Sequence, residues 1–255
     1  MTARRVIVTR PAQESARWVD ALRAAGLDAV SLPLIRIEAV SDTAALQQTR
    51  DHLRDYGALM FVSAAAVVHF FDGAVTLPAF ARCWATGPGT ARALRRAGIA
   101  AEAIDTPPDD AAQFDSEALW ALVRPQVLPG TRVLVVRGGD TEGRPSGRDW
   151  LAREISAVGG RVDTVVAYRR LPPSLDEDGE RLVTEGAAGQ WLWLFSSSEA
   201  IGNLRRAAPD LRWQAAVAVA THVRIAEAAR DAGFGVVHVC PPGLPALVAS
   251  IESLQ

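Results

Sequence analysis

"WATGPGTARALRRAG", Trp84–Gly98, joins an apolar run to a Gly-Pro-Gly-Thr turn and then to an amphipathic segment. It reads as a buried strand, a tight turn and a helix opening on Thr90. The first N–H groups of such a helix have no partner inside it and point at whatever lies in front. The same order of pieces recurs in "ATHVRIAEAARDAG", Ala220–Gly233. "VIVTR" (Val6–Arg10) is likewise echoed by "VLVVR" (Val133–Arg137), and "MFVSAAAV" (Met60–Val67) by "LFSSSEAI" (Leu194–Ile201). Ala-rich βα units resemble one another, so a single echo carries nothing. Three in compatible order predict an α/β chain with two similar halves, each built on a parallel sheet.

Short apolar runs alternate with amphipathic segments through the rest of the chain, as βα units require. Pro11 suits a first helical turn, with Trp18, Leu22 and Ala25 on one face and Gly26 as the stop. Ser63 is placed to cap the helix after "ALMFV", and Ser116 the helix "EALWALV"; "AEAI" reads as a further strand. Two Pro-marked extended segments, "SLPLIRIEAV" (Ser31–Val40) and "VDTVVAYRRLPP" (Val162–Pro173), read as linkers. A chain that leaves domain one at the first and returns at the second makes that domain discontinuous. The expected division is 1–36 with 171–255, and 37–170 inserted, with linker strands near 32–40 and 163–172. Two linkers side by side form a hinge, and the interdomain cleft is then the expected active site.

Composition excludes several chemistries. The net charge of −2 over 255 residues gives no basic field for nucleic acid. All 27 basic residues are arginine, so a lysine Schiff base and a Walker-type phosphate lysine are both excluded. Cys83 and Cys240 lie far apart without a CxxC, and the four histidines, His52, His69, His222 and His238, lack metal-ligand spacing. No GxSxG elbow occurs. "GPGTA" is not a nucleotide loop, because the lysine and the spacing are both missing. The longest apolar stretch, around Leu59–Phe71, is too short to span a bilayer, and no signal-type hydrophobic region opens the sequence. A soluble cytoplasmic protein is expected.

In open α/β sheets, ligands sit at the carboxyl ends of the strands. Those positions are Thr9–Arg10, Ser63, Thr86–Gly87, Arg137–Gly138, Ser196–Ser198 and Thr221–His222. Singly, Ser, Thr and Gly at such turns serve most often as caps. As a set they suit an anion: helix ends favour negative charge by about 0.3–1 kcal/mol each, and Arg10 and Arg137 can grip carboxylates. Gly138 and Gly139 would let a ligand approach the backbone. Tyr168, in "VVAYRR", is one of two tyrosines. It is either a proton donor facing the cleft or a packing residue of the hinge.

In the order "VIVTRP", "FVSAAAV", "ATGPGTARALRRAGI", "VLVVRG", "VVAYRR", "FSSSEAI" and "THVRIAEAARDAGF", the chain resembles uroporphyrinogen-III synthases over nearly its whole length. The resemblance implies two α/β domains, the first discontinuous, joined by a two-stranded linker, and no cofactor or metal. It implies a cyclising hydro-lyase of tetrapyrrole (haem, sirohaem, cobalamin) biosynthesis. Hydroxymethylbilane, a linear tetrapyrrole with eight carboxylates, loses water from ring A. Ring D attacks through its substituted carbon, and a spiro intermediate fragments and recloses with ring D inverted. Ser63, Gly87, Thr90, Tyr168 and Ser197 match the family's motif positions, and Tyr168 becomes the candidate for helping the hydroxyl leave. Arg10, Thr86, Arg137, Gly138, Ser198 and His222 complete the expected substrate contacts. The second turn departs from the pattern, with His222 where glycine is common and Ile225 where the first copy has Thr90; His222 and Arg224 then stand in for the missing donor. A monomer is expected, without nucleic-acid or membrane partners, in transient contact with the preceding pathway enzyme. Two rivals remain: a two-cysteine racemase, and a non-catalytic two-domain receptor or regulatory domain for a small anion.

Overall fold

The computed structural model describes residues 5–73, 75–108, 111, 113–241 and 243–254. The chain opens with β1 (Arg5–Val8), α1 (Ala12–Ala24) and β2 (Asp28–Ser31). Next come β3 (Arg36–Ala39), α2 (Ala44–Asp51), β4 (Ala58–Phe61), α3 (Ala64–Phe70), β5 (Arg82–Ala85), α4 (Pro88–Arg96) and β6 (Ile104–Asp105). They are followed by α5 (Ser116–Val123), β7 (Arg132–Gly139), α6 (Trp150–Ala157) and β8 (Arg161–Leu171). The chain then runs through α7 (Glu177–Ala187), β9 (Leu192–Phe195), α8 (Ser198–Ala207), β10 (Val217–Ala220), α9 (Val223–Asp231), β11 (Val236–Val239) and α10 (Leu244–Ser253). It divides into two compact units. One runs to Arg36 and resumes at Leu171; the other is Ile37–Arg170.

The discontinuous unit carries a sheet in the order β11-β10-β9-β1-β2, each pair parallel. Alternation along its strands sorts the side chains between two faces. Val6, Val8, Leu192, Leu194 and Val219 pack with Val19, Leu22, Leu247 and Ile251. On the other face Trp193 stacks on Phe195, and Phe234 stacks on Trp213. Strand order reverses between β1 and β9, the position at which sheets of this kind are expected to take a ligand.

The continuous unit carries the order β3-β8-β7-β4-β5-β6, with β8/β7, β7/β4, β4/β5 and β5/β6 parallel. Leu59, Phe61, Cys83, Ala85, Leu134 and Val136 belong to one core face. Ala58, Met60, Trp84, Val133 and Val135 belong to the other. A sheet buried on both faces needs such continuous apolar runs. Each fully buried Val, Leu or Phe contributes roughly 1.5–3 kcal/mol. Here the order reverses between β4 and β7.

Several local expectations are corrected. α4 opens at Pro88 with Gly87 as its N-cap, two residues before Thr90; proline lacks the N–H that the first turn leaves unpaired. Asp115, not Ser116, caps α5, accepting the Ala118 N–H at 2.9 Å. Pro11 is the residue before α1, whose buried residues are Ser15, Val19 and Leu22; Trp18 packs partly buried beside them, and Ala25 lies exposed past the helix end. The "AEAI" strand shrinks to β6, behind a 3₁₀ turn at Ala101–Ala103. β8 pairs with β7 from Arg161 to Arg169, and β3 is its other neighbour. Val165 and Ala167 on β8 are buried, which ties a segment read as linker into a sheet.

Candidate functional site

In the continuous unit the carboxyl ends of β4, β5 and β7 bring Ser63, Thr86–Gly87 and Arg137–Gly138 to one edge, next to Tyr168 on β8. Ser63 caps α3, its Oγ accepting the Ala66 N–H at 3.1 Å. The same Oγ lies 3.0 Å from the Tyr168 hydroxyl. Tyr168 is 2% exposed, and its ring stacks on His69 of α3 with centroids 5.9 Å apart. A Cβ added to Gly138 would stand 2.6 Å from Tyr168 Cζ and 2.9 Å from its hydroxyl oxygen. The space expected to admit a ligand at Gly138 is therefore filled by the phenol ring. At Gly139 a Cβ would meet Val166 Cγ1 at 2.8 Å and the backbone of Gly143 at 2.9 Å. These glycines seat protein groups.

Arg137 is 6% exposed, with Nη1 donating to Asp149 Oδ1 at 2.9 Å. Its Nη2 approaches the Arg148 carbonyl at 3.5 Å, while its buried Nε has no partner among the described residues. Gly147, at φ +109°, leaves room for this guanidinium, since a Cβ there would lie 2.5 Å from Nη2. Thr86 donates through Oγ1 to the Val62 carbonyl at 3.2 Å. Gly87 packs under Phe114, whose Cβ would stand 3.0 Å from an added methyl. Thr90 is buried in the first turn of α4.

The discontinuous unit presents Arg10 after β1, Ser196–Ser198 after β9 and Thr221–His222 after β10. Thr9 ties β1 to β9 by donating through Oγ1 to the Leu194 carbonyl at 2.7 Å. Arg10 lies over the Trp18 ring, 4.2 Å from its centroid, and donates to Glu14 at 2.8 Å. Burial pushes its guanidinium below the ordinary value, with Glu14 opposing. Ser197 caps α8, accepting the Glu199 N–H at 3.2 Å, and Ser198 is the exposed first residue of that helix. His222 caps α9 through Nδ1, which accepts the Arg224 N–H at 3.0 Å. An imidazole thus fills the role that Ser, Thr, Asn or Asp usually takes.

Two residues that motif reading passed over complete the picture. His69 looked like a scattered histidine, yet burial lowers its pKa, against Asp72, and it faces Tyr168. Its place six residues after Ser63, on the helix that Ser63 caps, was the available signal. Asp149, set in a Gly/Arg-rich loop, gave none. The thiols go the other way. Cys83 and Cys240 are both buried, and burial pushes them up to about 12 and about 11. Each thiol is packed inside the hydrophobic core of its own unit, whereas a nucleophilic cysteine must be accessible, so the racemase rival gains no support. No helix among the described residues is long and apolar enough to cross a membrane.

Comparison with known proteins identifies the family and the fold. A family profile described as "Uroporphyrinogen-III synthase HemD" matches residues 16–249. The uroporphyrinogen-III synthase of Chlorobaculum parvum is 29% identical over 192 residues, 72% of this chain and 71% of that protein. That of Salmonella typhimurium is 29% identical over 204 residues, 74% of this chain and 78% of its own. Among solved structures, a mutant synthase from Thermus thermophilus aligns with a TM-score of 0.60 at 19% identity, covering 98% of each chain. The enzyme from Helicobacter pylori aligns with a TM-score of 0.62 at 14% identity, covering 99% of this chain and 100% of its own. The structural likenesses establish a shared fold. The profile match, spanning most of the sequence, establishes that this chain belongs to the uroporphyrinogen-III synthase family.

Proposed function

We propose that the protein cyclises hydroxymethylbilane to uroporphyrinogen III, with Tyr168 donating the proton that lets the ring A hydroxyl leave. The C–O bond breaks, the hydroxyl takes the phenolic proton and departs as water, and the pyrrole nitrogen lone pair, its N–H retained, forms the azafulvenium cation. Ring D attacks the methylene carbon through its substituted carbon. The spiro intermediate fragments and recloses with ring D inverted, and the proton lost on rearomatisation returns to the phenolate oxygen. Closure without inversion is the spontaneous competitor, so positioning of the chain of pyrroles supplies most of the selectivity.

The observation that carries this reading is the Tyr168 hydroxyl, 3.0 Å from Ser63 Oγ at the strand ends where the sheet order reverses. Substrate carboxylates go to the strand-end donors: Arg137, Thr86, Gly87 and Thr90 in one unit, Arg10, Ser197, Ser198 and His222 in the other. The reading includes a monomeric cytoplasmic enzyme that meets its supplier only transiently. No observation favours the receptor alternative. The test generates hydroxymethylbilane in situ, adds the protein, oxidises the product and separates the porphyrin isomers. Isomer III is expected to predominate; isomer I in the proportion of the blank would overturn the reading. For Tyr168, Y168F is expected to lower kcat, and wild-type turnover in that variant would remove its role.

A further inference from the structure

We infer that Ser63 is a positioning residue whose hydroxyl donates to the Tyr168 oxygen and so turns the phenolic proton outward, toward the leaving group. The inference rests on the proposed role of Tyr168. A serine hydroxyl has one hydrogen and two lone pairs. One lone pair of Ser63 accepts the Ala66 N–H at 3.1 Å, which leaves the hydrogen and the second lone pair for Tyr168 at 3.0 Å. Were Tyr168 the donor of that bond, its single proton would be held inside a site where the ring is 2% exposed. With Ser63 as donor, the phenolic proton is released from it. The Ala66 N–H polarises the serine O–H in the same sense, because chained hydrogen bonds strengthen one another. When the phenol gives up its proton, the serine bond remains on the oxygen that carries the charge. The ring cannot turn away from this partner easily. Gly138 leaves it a fitted space on β7, and His69 stacks on it from α3. Ser63 thus acts through Tyr168 rather than by holding a substrate carboxylate.

A double-mutant cycle tests this. S63A should lower kcat by roughly 5- to 10-fold, the scale of one lost hydrogen bond, with KM unchanged. S63A in the Y168F background should cost no further turnover, and S63T, which keeps the hydroxyl, should hold kcat near wild type. Loss of the α3 cap also lowers stability, so melting temperatures of all five proteins are measured beside the kinetics. A stability loss from the missing cap persists in the Y168F background, whereas the kcat effect should vanish there. The inference is overturned if S63A lowers kcat equally in both backgrounds, raises KM instead, or leaves kcat untouched while Y168F lowers it. Wild-type turnover in Y168F overturns the tyrosine reading itself, and is read separately.

Discussion

α3 and α8 are the same piece of the repeat used for different ends. Ser63 corresponds to Ser197, and six residues on, His69 corresponds to Asn203. Both serines cap their helices through the hydroxyl oxygen. In the continuous unit the later position faces a phenol: His69 stacks on Tyr168. In the discontinuous unit it faces the chain. Asn203 is 2% exposed and donates through Nδ2 to the Leu34 carbonyl at 2.7 Å, while its Oδ1 accepts from Arg206. Asn203 thereby satisfies a carbonyl in the stretch between β2 and β3. One copy of the helix therefore anchors backbone, and the other shapes the surroundings of a phenol.

The contrast can be broken most severely at Gly138. G138A places a methyl on the Tyr168 ring, so the phenol must move, and a shift near 1 Å costs catalysis about 100-fold. Steady-state kinetics should show this in kcat, with thermal unfolding showing a smaller loss. N203A should do the reverse. It leaves the buried Leu34 carbonyl unpaired, costing about 2–3 kcal/mol in urea unfolding, with kcat of the folded protein unchanged. A fall in kcat there would deny the division of labour between the two helices. At the strand ends, R10M and R137M should each raise KM about tenfold at constant kcat if both units bind carboxylates. A wild-type KM in either would free that unit's arginine from substrate.

The pH response should also differ. His69 has its pKa lowered from 6.5 by burial, so the unfolded chain binds its proton more readily than the native one. Its contribution is present above 6.5 and lost as pH falls below that value toward the native pKa. Melting temperature should therefore decline on acidification from 6.5 more steeply in wild type than in H69F, and equal slopes would discard the lowered pKa of this half-buried imidazole. The smallest effect is expected at His222. H222S exchanges one cap for another and should change stability by less than about 0.5 kcal/mol, whereas H222A should cost about 1 kcal/mol.

Much of the fold was legible because buried parallel strands and helix starts leave local marks. "ALMF" before Ser63 and "LWLF" before Ser197 announced their own turns, and capping by Ser63 followed from its position. The adjacent pair Asp115 and Ser116 was ambiguous, since either can cap and sequence does not say which residue begins the helix. The contact between Ser63 and Tyr168 spans 105 residues and depends on register. On β7 and β8, Arg137 pairs with Val166 but Gly138 pairs with Tyr168, an irregularity that passes over Ala167. One residue of slip decides the face to which a strand side chain points. No local pattern in "VVAYRR" carries that information. The partners of Arg137 and the stacking of His69 were hidden for the same reason.

The bond from Thr9 to Leu194 joins residues 185 positions apart, and it lies at the centre of a sheet. On the ribosome, β1 emerges early, yet one of its two neighbours, β9, is made only after all of Ile37–Arg170. At about 5–20 residues per second, the interval is roughly ten to forty seconds. The continuous unit is fully made before that interval ends and can begin to fold while the apolar strand "RVIV" waits with only β2 beside it. Biosynthesis therefore imposes an order on two otherwise similar units: the one bearing Tyr168 is completed first, and the one bearing Arg10 closes around its own beginning last.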